Sequence, residues 1–277
     1  MKAIKTLFVS DLDGTLLNRD STLSPATVHT LERLTSEGML FTYATARSIH
    51  SASIVAGGFT PKLPAVYHNG VILAEPSTGR TIFSAVFSEG QRREMEELLK
   101  RYPPMPLVFS FINGEERVSW DAGQENEGIQ NYLQHRKGDK RLRPLKGKQG
   151  LLDGDVFTMT YIESRENLEG LHRAFLARGY TSVVFQQEIY REEYWLEVMP
   201  NGTSKAEGIL RLKELLGCDR VVCFGDALND LPMFREADFC FAVENAAPEL
   251  KAAADGIIGS NQEDGVARWL EQHWREY

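Results

Sequence analysis

The sequence is poor in cysteine, in long apolar runs and in positive charge. Its three cysteines, Cys218, Cys223 and Cys240, are odd in number and match no zinc-ligand spacing, which favours reduced core thiols over disulfides or a zinc site. No stretch reaches the roughly 18 consecutive apolar residues of a membrane span, and no signal-peptide segment precedes the first predicted strand. The formal net charge of -8 argues against nonspecific nucleic-acid binding. We therefore expect a cytoplasmic protein without membrane or nucleic-acid partners.

The length and composition are those of a globular enzyme. Of the 277 residues, 42% are hydrophobic and 25% are charged, which is an ordinary balance. This length exceeds the usual size of one domain and supplies ample apolar material for a core. We expect one large domain or two medium ones.

Two acidic motifs follow short apolar runs and carry the strongest chemical signal. DLDGT at residues 11–15 follows the run 4–9, and GDALND at 225–230 follows the run 221–224. Such runs are typical of buried parallel strands, whose carboxyl ends form ligand sites. Asp, Asn and Gly also form ordinary turns, but two carboxylate-bearing strand exits are harder to explain by turns alone. Asp11 and Asp13 lie two positions apart on an extended segment, which favours a shared cation.

Residues 1–83 and 195–277 predict a doubly wound, mainly parallel α/β sheet. In both segments short apolar strands alternate with helices, one of which begins with a Ser24 cap and Pro25. The predicted strands span residues 4–9, 39–44, 64–68, 221–224 and 239–241. The predicted helices span residues 24–38, a segment ending near 56, 204–216, a short segment from 228, and a closing segment through 269.

Residues 84–194 predict an inserted α+β domain. Helices at 89–101 and 165–178 are interleaved with β segments near 107–112, 156–162, 183–187 and 194–199, and closely spaced β segments indicate antiparallel hairpins. Turn-rich stretches at 75–79 and 200–202 flank the insert. The basic stretch 135–148 is interpreted as a solvated helix end and loop, with attraction of an anionic substrate as the alternative.

The polar residues at the predicted strand ends suit a phosphoryl group bound beside magnesium. Carboxylates are the ligands that this hard cation prefers, whereas no His or Cys cluster favours zinc. Thr45, Asn69 and Lys205 add a hydroxyl, an amide and a positive charge. A lysine at a helix start is also common on protein surfaces, so Lys205 gains weight only from its neighbours.

The ordered motifs resemble those of the haloacid dehalogenase superfamily. DLDGT, Thr45, Lys205 and GDALND match its four motifs in order and spacing, and the insert is similar to the C2-type cap of the Cof-like branch, subclass IIB, which consists mainly of sugar phosphatases. The resemblance covers the entire chain, most strongly in the core. It implies a Rossmann-like core of this superfamily, and a cap that determines substrate specificity.

The resemblance also implies roles for the acidic residues. Asp11 would attack phosphorus and form an aspartyl-phosphate, and Asp13 would protonate the leaving alcohol and then activate water. Magnesium would be bound by the Asp11 carboxylate, the Asp13 backbone carbonyl and Asp226. An aspartate at position 13 points to phosphate-ester hydrolysis, since related ATPases usually have threonine there.

The remaining motif residues would handle the phosphoryl group. Thr45 and Lys205 would hold its oxygens with help from Asn229, and Asp230 would orient the lysine or a metal-bound water. Arg47 would either bind substrate or form an ion pair at the sheet edge. Asn69, followed by Gly70, would contact substrate or simply form a hairpin turn.

One residue departs from the branch's commonest pattern. Ala46 stands where glycine is frequent, and alanine restricts positive φ there. Within the cap, possible sugar or carboxylate contacts are Arg117, Trp120, Glu188, Tyr190 and Arg191, although aromatic residues of such domains more often belong to the core.

We therefore predict a magnesium-dependent phosphatase that acts on a small phosphorylated metabolite, of sugar phosphate or phosphoglycerate type. Its oligomeric state is expected to be monomer or homodimer. Two alternatives stay open. One is a phosphomutase, since eukaryotic-type phosphomannomutases resemble the same capped scaffold. The other is a noncatalytic metabolite sensor that keeps the pocket as a binding module.

Overall fold

The computed structural model describes residues 4–187 and 193–277. The described strands are β1 (Thr6–Ser10), β2 (Leu40–Tyr43), β3 (Ala65–Tyr67), β4 (Ile72–Ala74), β5 (Thr81–Ser84), β6 (Leu107–Ile112), β7 (Glu115–Asp121), β8 (Leu142–Leu145), β9 (Asp155–Glu163), β10 (Val183–Gln187), β11 (Tyr194–Val198), β12 (Arg220–Gly225), β13 (Phe239–Val243) and β14 (Gly256–Ile258). The described α-helices are α1 (Pro25–Ser36), α2 (Ile49–Val55), α3 (Glu89–Arg101), α4 (Glu127–Gln134), α5 (Arg165–Ala177), α6 (Lys205–Leu216), α7 (Leu231–Glu236), α8 (Pro248–Ala253) and α9 (Gly265–His273).

The elements form two compact units, one of Met1–Ser84 with Thr203–Tyr277 and one of Ala85–Gly202. The first unit contains a five-stranded sheet of order β14-β13-β12-β1-β2, in which each described pair is parallel. This confirms the predicted α/β class with a mainly parallel central sheet. Strands β1 and β12 pair in register up to Ser10 and Phe224. Because the two strands end side by side, both acidic motifs leave the sheet at the same edge.

The third predicted strand belongs only marginally to this sheet. Strand β3 meets it through a single bridge between Ala44 and Val66, and otherwise pairs with β4 in the antiparallel sheet β3-β4-β5. The reason is the tight turn His68–Gly70, which reverses the chain directly into β4. The hairpin interpretation of Asn69 and Gly70 is therefore correct for the backbone.

Serine caps start helices α1 and α6. The Ser24 side chain accepts a hydrogen bond from the Thr27 amide at the start of α1, as the sequence predicts. At α6 the Ser204 hydroxyl accepts from the Glu207 amide, and Gly217 ends the helix in a left-handed conformation. The cap fixes Lys205 in the first turn of α6.

The second unit is α+β, as predicted, with a six-stranded sheet of order β10-β11-β9-β6-β7-β8. Its core joins buried residues of α3 and α5, such as Leu98 and Leu171, to strand residues such as Met159. Strand β11 pairs antiparallel with β9 and β10. This pairing keeps residues 194–198 in the second unit, which extends to Gly202, so the predicted return to the first unit at residue 195 comes too early.

Elements β7, α4 and β8 are additions to the prediction. The basic stretch 135–148 contains β8 and is partly neutralised, because Arg141 pairs with Glu116 and Asp139.

Trp120 is buried and donates its indole N–H to Glu125, which supports a core role for this aromatic residue. Arg117 pairs with Glu115. The predicted contacts Glu188, Tyr190 and Arg191 lie outside the described residues.

The three cysteines are free and buried, which confirms the prediction of core thiols. Cys223 and Cys240 lie directly opposite each other on β12 and β13. No helix within residues 4–187 and 193–277 has the length and the hydropathy of a membrane span.

Candidate active site

Three buried aspartates meet where β1 and β12 end. One carboxylate oxygen from each of Asp11, Asp226 and Asp230 lies within 4.8 Å of the others. Their relative exposures are 4%, 7% and 0%. The parallel pairing explains this proximity, since the amide of Asp11 donates to the Phe224 carbonyl on the neighbouring strand. Like charges at this distance are relieved either by a compensating cation or by binding a proton.

Lys205 supplies part of that compensation. Its Nζ lies 2.7 Å from Asp11 Oδ1 and 2.8 Å from Asp230 Oδ1, and its side chain is 1% exposed. Asp230 Oδ2 accepts the amides of Asp226 and Ala227 at 3.0 and 3.1 Å. Asp230 is thus fully engaged by the lysine and its own loop, which leaves Asp11 and Asp226 with free ligand capacity.

Burial and neighbouring charges have opposite effects on the pKa values of Asp11 and Lys205. Burial raises the pKa of Asp11 well above its usual value, and the attraction of Lys205 only partly opposes this. Burial alone would lower the pKa of Lys205, but Asp11 and Asp230 outweigh it and raise that pKa. Lys205 is therefore charged, and its ammonium group is shared between the carboxylates of Asp11 and Asp230.

Asp226 is held by the first motif. Thr15 Oγ1 donates to Asp226 Oδ1 at 2.6 Å. Gly14 has φ of 76°, and a Cβ at this position would lie 2.2 Å from Asp226 Oδ2. Glycine is required here both for the backbone conformation and for the close approach of the carboxylate.

We expect the metal-free protein to lose stability as pH rises from about 4 to about 7. Burial, reinforced by Asp230, raises the pKa of Asp226 from 3.8 to about 7. The folded state then binds more protons than the unfolded state in this window, so the free energy of unfolding falls with rising pH and levels off above it. Urea unfolding in EDTA at about pH 5 and about pH 8 measures the slope. Asp226→Asn should reduce this slope, and an unchanged slope would contradict the assignment.

Asp13 lies outside the three-aspartate cluster. Arg47 donates two hydrogen bonds to the Asp13 carboxylate, from Nε to Oδ2 at 2.7 Å and from Nη2 to Oδ1 at 2.6 Å. Arg47 Nη1 also donates to Ser51 Oγ at 2.9 Å. Of the two interpretations of Arg47, the structure contains the ion pair, and its partner is Asp13.

The neutral residues of the predicted site follow three strands, with Thr45 after β2, Asn69 after β3 and Asn229 after β12. Thr45 is fully buried, its Oγ1 accepts the Arg47 amide at 3.1 Å, and its carbonyl accepts the Asn69 amide at 3.0 Å. Asn229 Nδ2 donates to Asn69 Oδ1 at 3.3 Å. Asn229 Oδ1 is buried without a hydrogen-bond partner among the described residues. Ala46 does not adopt positive φ, so alanine causes no strain of that kind.

Gly70 allows the β3–β4 turn to pack closely against the start of α6. Its φ is 99°, and a Cβ there would lie 1.9 Å from the Ser204 carbonyl oxygen. The β3–β4 turn therefore packs directly on the residue that precedes Lys205. The Asn-Gly pair predicts the turn from the sequence. Nothing in the sequence around Ser204 predicts that the turn packs there.

The donor set suits a magnesium ion. The ammonium group of Lys205 pairs with two of the three buried carboxylates, so a divalent cation would balance the remaining negative charge, and hard oxygen ligands match its preference. The predicted ligand set of Asp11, Asp226 and the Asp13 backbone carbonyl shares two carboxylates with this cluster, and Asp230, which is predicted to orient the lysine, is its third member.

Known hydrolases are similar to this chain in sequence and fold. A 5-amino-6-(5-phospho-D-ribitylamino)uracil phosphatase of Bacillus subtilis is 26% identical over 273 residues, 97% of each chain. A second phosphatase of that name from the same organism is 24% identical, over 95% of this chain and 96% of its own. The crystal structure of a Thermotoga maritima protein has a TM-score of 0.77 at 27% identity, covering 98% of this chain and 97% of that one.

The resemblance of the motifs is confirmed over nearly the whole sequence. The family model described as haloacid dehalogenase-like hydrolase matches residues 8–270. This range includes every residue of the acidic cluster and the whole of the second unit. The chain belongs to the haloacid dehalogenase-like hydrolase family.

Proposed function

We propose that this protein is a magnesium-dependent phosphatase of small phosphorylated metabolites that works through an aspartyl-phosphate on Asp11. The observation that carries the proposal is the buried carboxylate of Asp11, which lies 2.7 Å from Lys205 and within 4.8 Å of Asp226 ligand atoms. A nucleophile for an anionic phosphate has to be surrounded by positive charge. Asp11 is placed where one cation is present and a second fits.

In the first half of the proposed reaction, an Asp11 oxygen attacks phosphorus and the bond to the ester oxygen breaks. Asp13 gives its proton to that leaving oxygen, which departs as an alcohol. In the second half, Asp13 takes a proton from water, the water oxygen attacks phosphorus, and the bond to Asp11 breaks. Inorganic phosphate leaves, and both aspartates return to their starting states.

Arg47 has two roles in this scheme. Before substrate binds, its bidentate pair holds the Asp13 carboxylate in place. When substrate binds, a phosphoryl oxygen competes for the guanidinium, since arginine suits phosphate as well as carboxylate. Asp13, released from the guanidinium, then takes up a proton from solvent and acts as acid, and it returns this proton to solvent when it pairs with Arg47 again after phosphate leaves. Thr45, Lys205 and Asn229 hold the other phosphoryl oxygens.

The metal part of the proposal concerns Asp11, Asp226 and the Asp13 backbone carbonyl. A magnesium ion held by these groups would offset the negative charge that opposes attack of a carboxylate on a phosphate. Asp230 would stay bound to Lys205 and keep its ammonium group turned toward Asp11.

The proposed substrates are sugar phosphates or phosphoglycerate-type compounds, and the B. subtilis relatives add phosphorylated ribityl compounds. We propose that Ala85–Gly202 is the cap that selects among them, because residues 203–277 and 4–84 supply the whole proposed phosphoryl site. We also propose a cytoplasmic location and a monomer or homodimer.

Release of inorganic phosphate from a panel of these compounds tests the proposal. We expect hydrolysis of at least one compound with magnesium, and loss of that activity in EDTA with recovery when magnesium is returned. Conversion of a hexose phosphate to its isomer without free phosphate would instead indicate a phosphomutase. Binding without turnover across the panel would indicate a sensor.

A further inference from the structure

A third loop ties the two acidic motifs together. Residues 244–247 follow β13, and Asn245 Nδ2 donates to the Gly14 carbonyl at 2.7 Å. Two residues later, the amide of Ala247 donates to the Asp226 carbonyl at 2.8 Å. One short segment thus holds the backbone of DLDGT and the backbone of GDALND at the same time.

A second asparagine extends this contact to the far end of the first motif's turn. Asn245 Oδ1 accepts the amide of Asn261 at 3.0 Å. Asn261, which is 6% exposed, donates through Nδ2 to the Leu17 carbonyl at 2.8 Å. The relay from Asn245 to Asn261 therefore holds carbonyls on both sides of the turn, at Gly14 and at Leu17.

The orientation of the Gly14 carbonyl affects the positions of both neighbouring residues of the site. Gly14 separates Asp13 from Thr15, and Thr15 Oγ1 is bound to Asp226. Rotation of the Gly14–Thr15 peptide would turn both neighbours, because Gly14 lacks a side chain to restrict its backbone. A hydrogen bond to this carbonyl fixes the peptide plane, in the way that outer groups orient the ligands of metal sites.

We propose that Asn245 is a positioning residue for phosphoryl transfer, acting through the Gly14 carbonyl on Asp13 and Asp226. The inference rests on the proposed function for its catalytic effect. Asn245 itself is exposed and makes its described hydrogen bonds only to Gly14 and Asn261. Its contribution therefore comes from orienting the turn, since little of its surface is buried.

Asn245→Ala is expected to lower kcat about 10-fold to 100-fold while KM changes less than about twofold, the range found for outer groups of metal sites. Asn245→Asp keeps the shape and the acceptor for Asn261 but removes the donor to Gly14, so it should lose as much kcat as the alanine variant. Wild-type kcat in Asn245→Asp would overturn the proposal.

Asn201 provides a matched control. It also bonds two backbone groups, accepting the Thr181 amide at 2.9 Å and donating to the Gly179 carbonyl at 3.0 Å, but these lie in the second unit. Asn201→Ala removes the same kind of interaction and should leave kcat unchanged. An equal effect of Asn201→Ala and Asn245→Ala on kcat would mean that Asn245 has only a general structural role.

Amide hydrogen exchange gives a readout that does not need activity. Asn245→Ala should speed exchange in residues 12–17 and 225–230, and Asn201→Ala should not. Unchanged exchange in both segments would overturn the inference. If the wild-type protein hydrolyses no substrate, the proposed function fails, while the exchange experiment still decides whether Asn245 couples the two motifs.

Discussion

Replacing Asp11 by asparagine should abolish phosphate release. Asparagine has nearly the same shape but does not form the acyl phosphate, so the covalent route is lost and we expect kcat to fall at least about 1000-fold. The fold should survive, because the amide removes a charge that burial and three neighbouring aspartates already disfavour. Phosphate release under saturating magnesium, together with the thermal midpoint, measures both effects.

Asp238 offers a matched control for this substitution. Its Oδ2 accepts from Lys213 at 2.9 Å and from the Val221 amide at 2.8 Å, so it is also a lysine-paired carboxylate of the first unit. Asp238→Asn should keep kcat within about twofold, since it lies outside the acidic cluster. Retention of a tenth or more of the activity in Asp11→Asn would rule out Asp11 as the nucleophile.

Replacing Lys205 by methionine should cause the largest loss of stability. The side chain is 1% exposed and pairs with two carboxylates that are themselves almost fully buried. Removing one partner of such a network leaves buried charge uncompensated, which typically costs about 3–5 kcal/mol. Urea unfolding in EDTA measures the change. The loss should be smaller at low pH, where the carboxylates bind protons instead.

Lys213→Met is the control for the Lys205 variant. Lys213 pairs with Asp238 at 2.9 Å, but the two side chains are 26% and 39% exposed. A pair of this kind contributes about 0–1 kcal/mol. Magnesium should restore more stability to Lys205→Met than to Lys213→Met, because only the first leaves an excess of charge at the acidic cluster. Equal losses without metal would show that Lys205 does not neutralise Asp11 and Asp230.

The core was predictable because its signals are local. DLDGT and GDALND each follow a buried apolar strand, and parallel pairing of those strands is enough to bring Asp11 beside Asp226. The predicted helix with Ser24 as N-cap likewise depends on neighbouring residues. These features need no knowledge of distant side chains.

The missed parts of the second unit have weak local patterns. Strand β8 contains Pro144, which counts against a strand, and basic residues that suggest an exposed loop. Helix α4 has only 8 residues, although Asn126 caps it. The sequence predicts the end of the second unit too early because β11 pairs with β9 over a long sequence separation, which turn signals do not reveal.

The missed contacts of the site depend on side-chain direction. Arg47 and Asp13 are 34 positions apart, and their pairing requires that both strand ends turn toward each other. Asn245 lies in a segment without a recognisable chemical motif, yet it reaches Gly14 across 231 positions. Motifs identified the reactive groups, whereas the residues that hold them became visible only in three dimensions.

The buried thiol of Cys223 can report on local unfolding of the central sheet. Cys223 is fully buried on β12, two residues before Gly225, and burial raises its thiol pKa well above the usual value. A thiol in this state is shielded from reagents and short of the reactive thiolate. The rate at which a thiol reagent modifies Cys223 therefore records how often the central strand β12 opens, without any engineered cysteine.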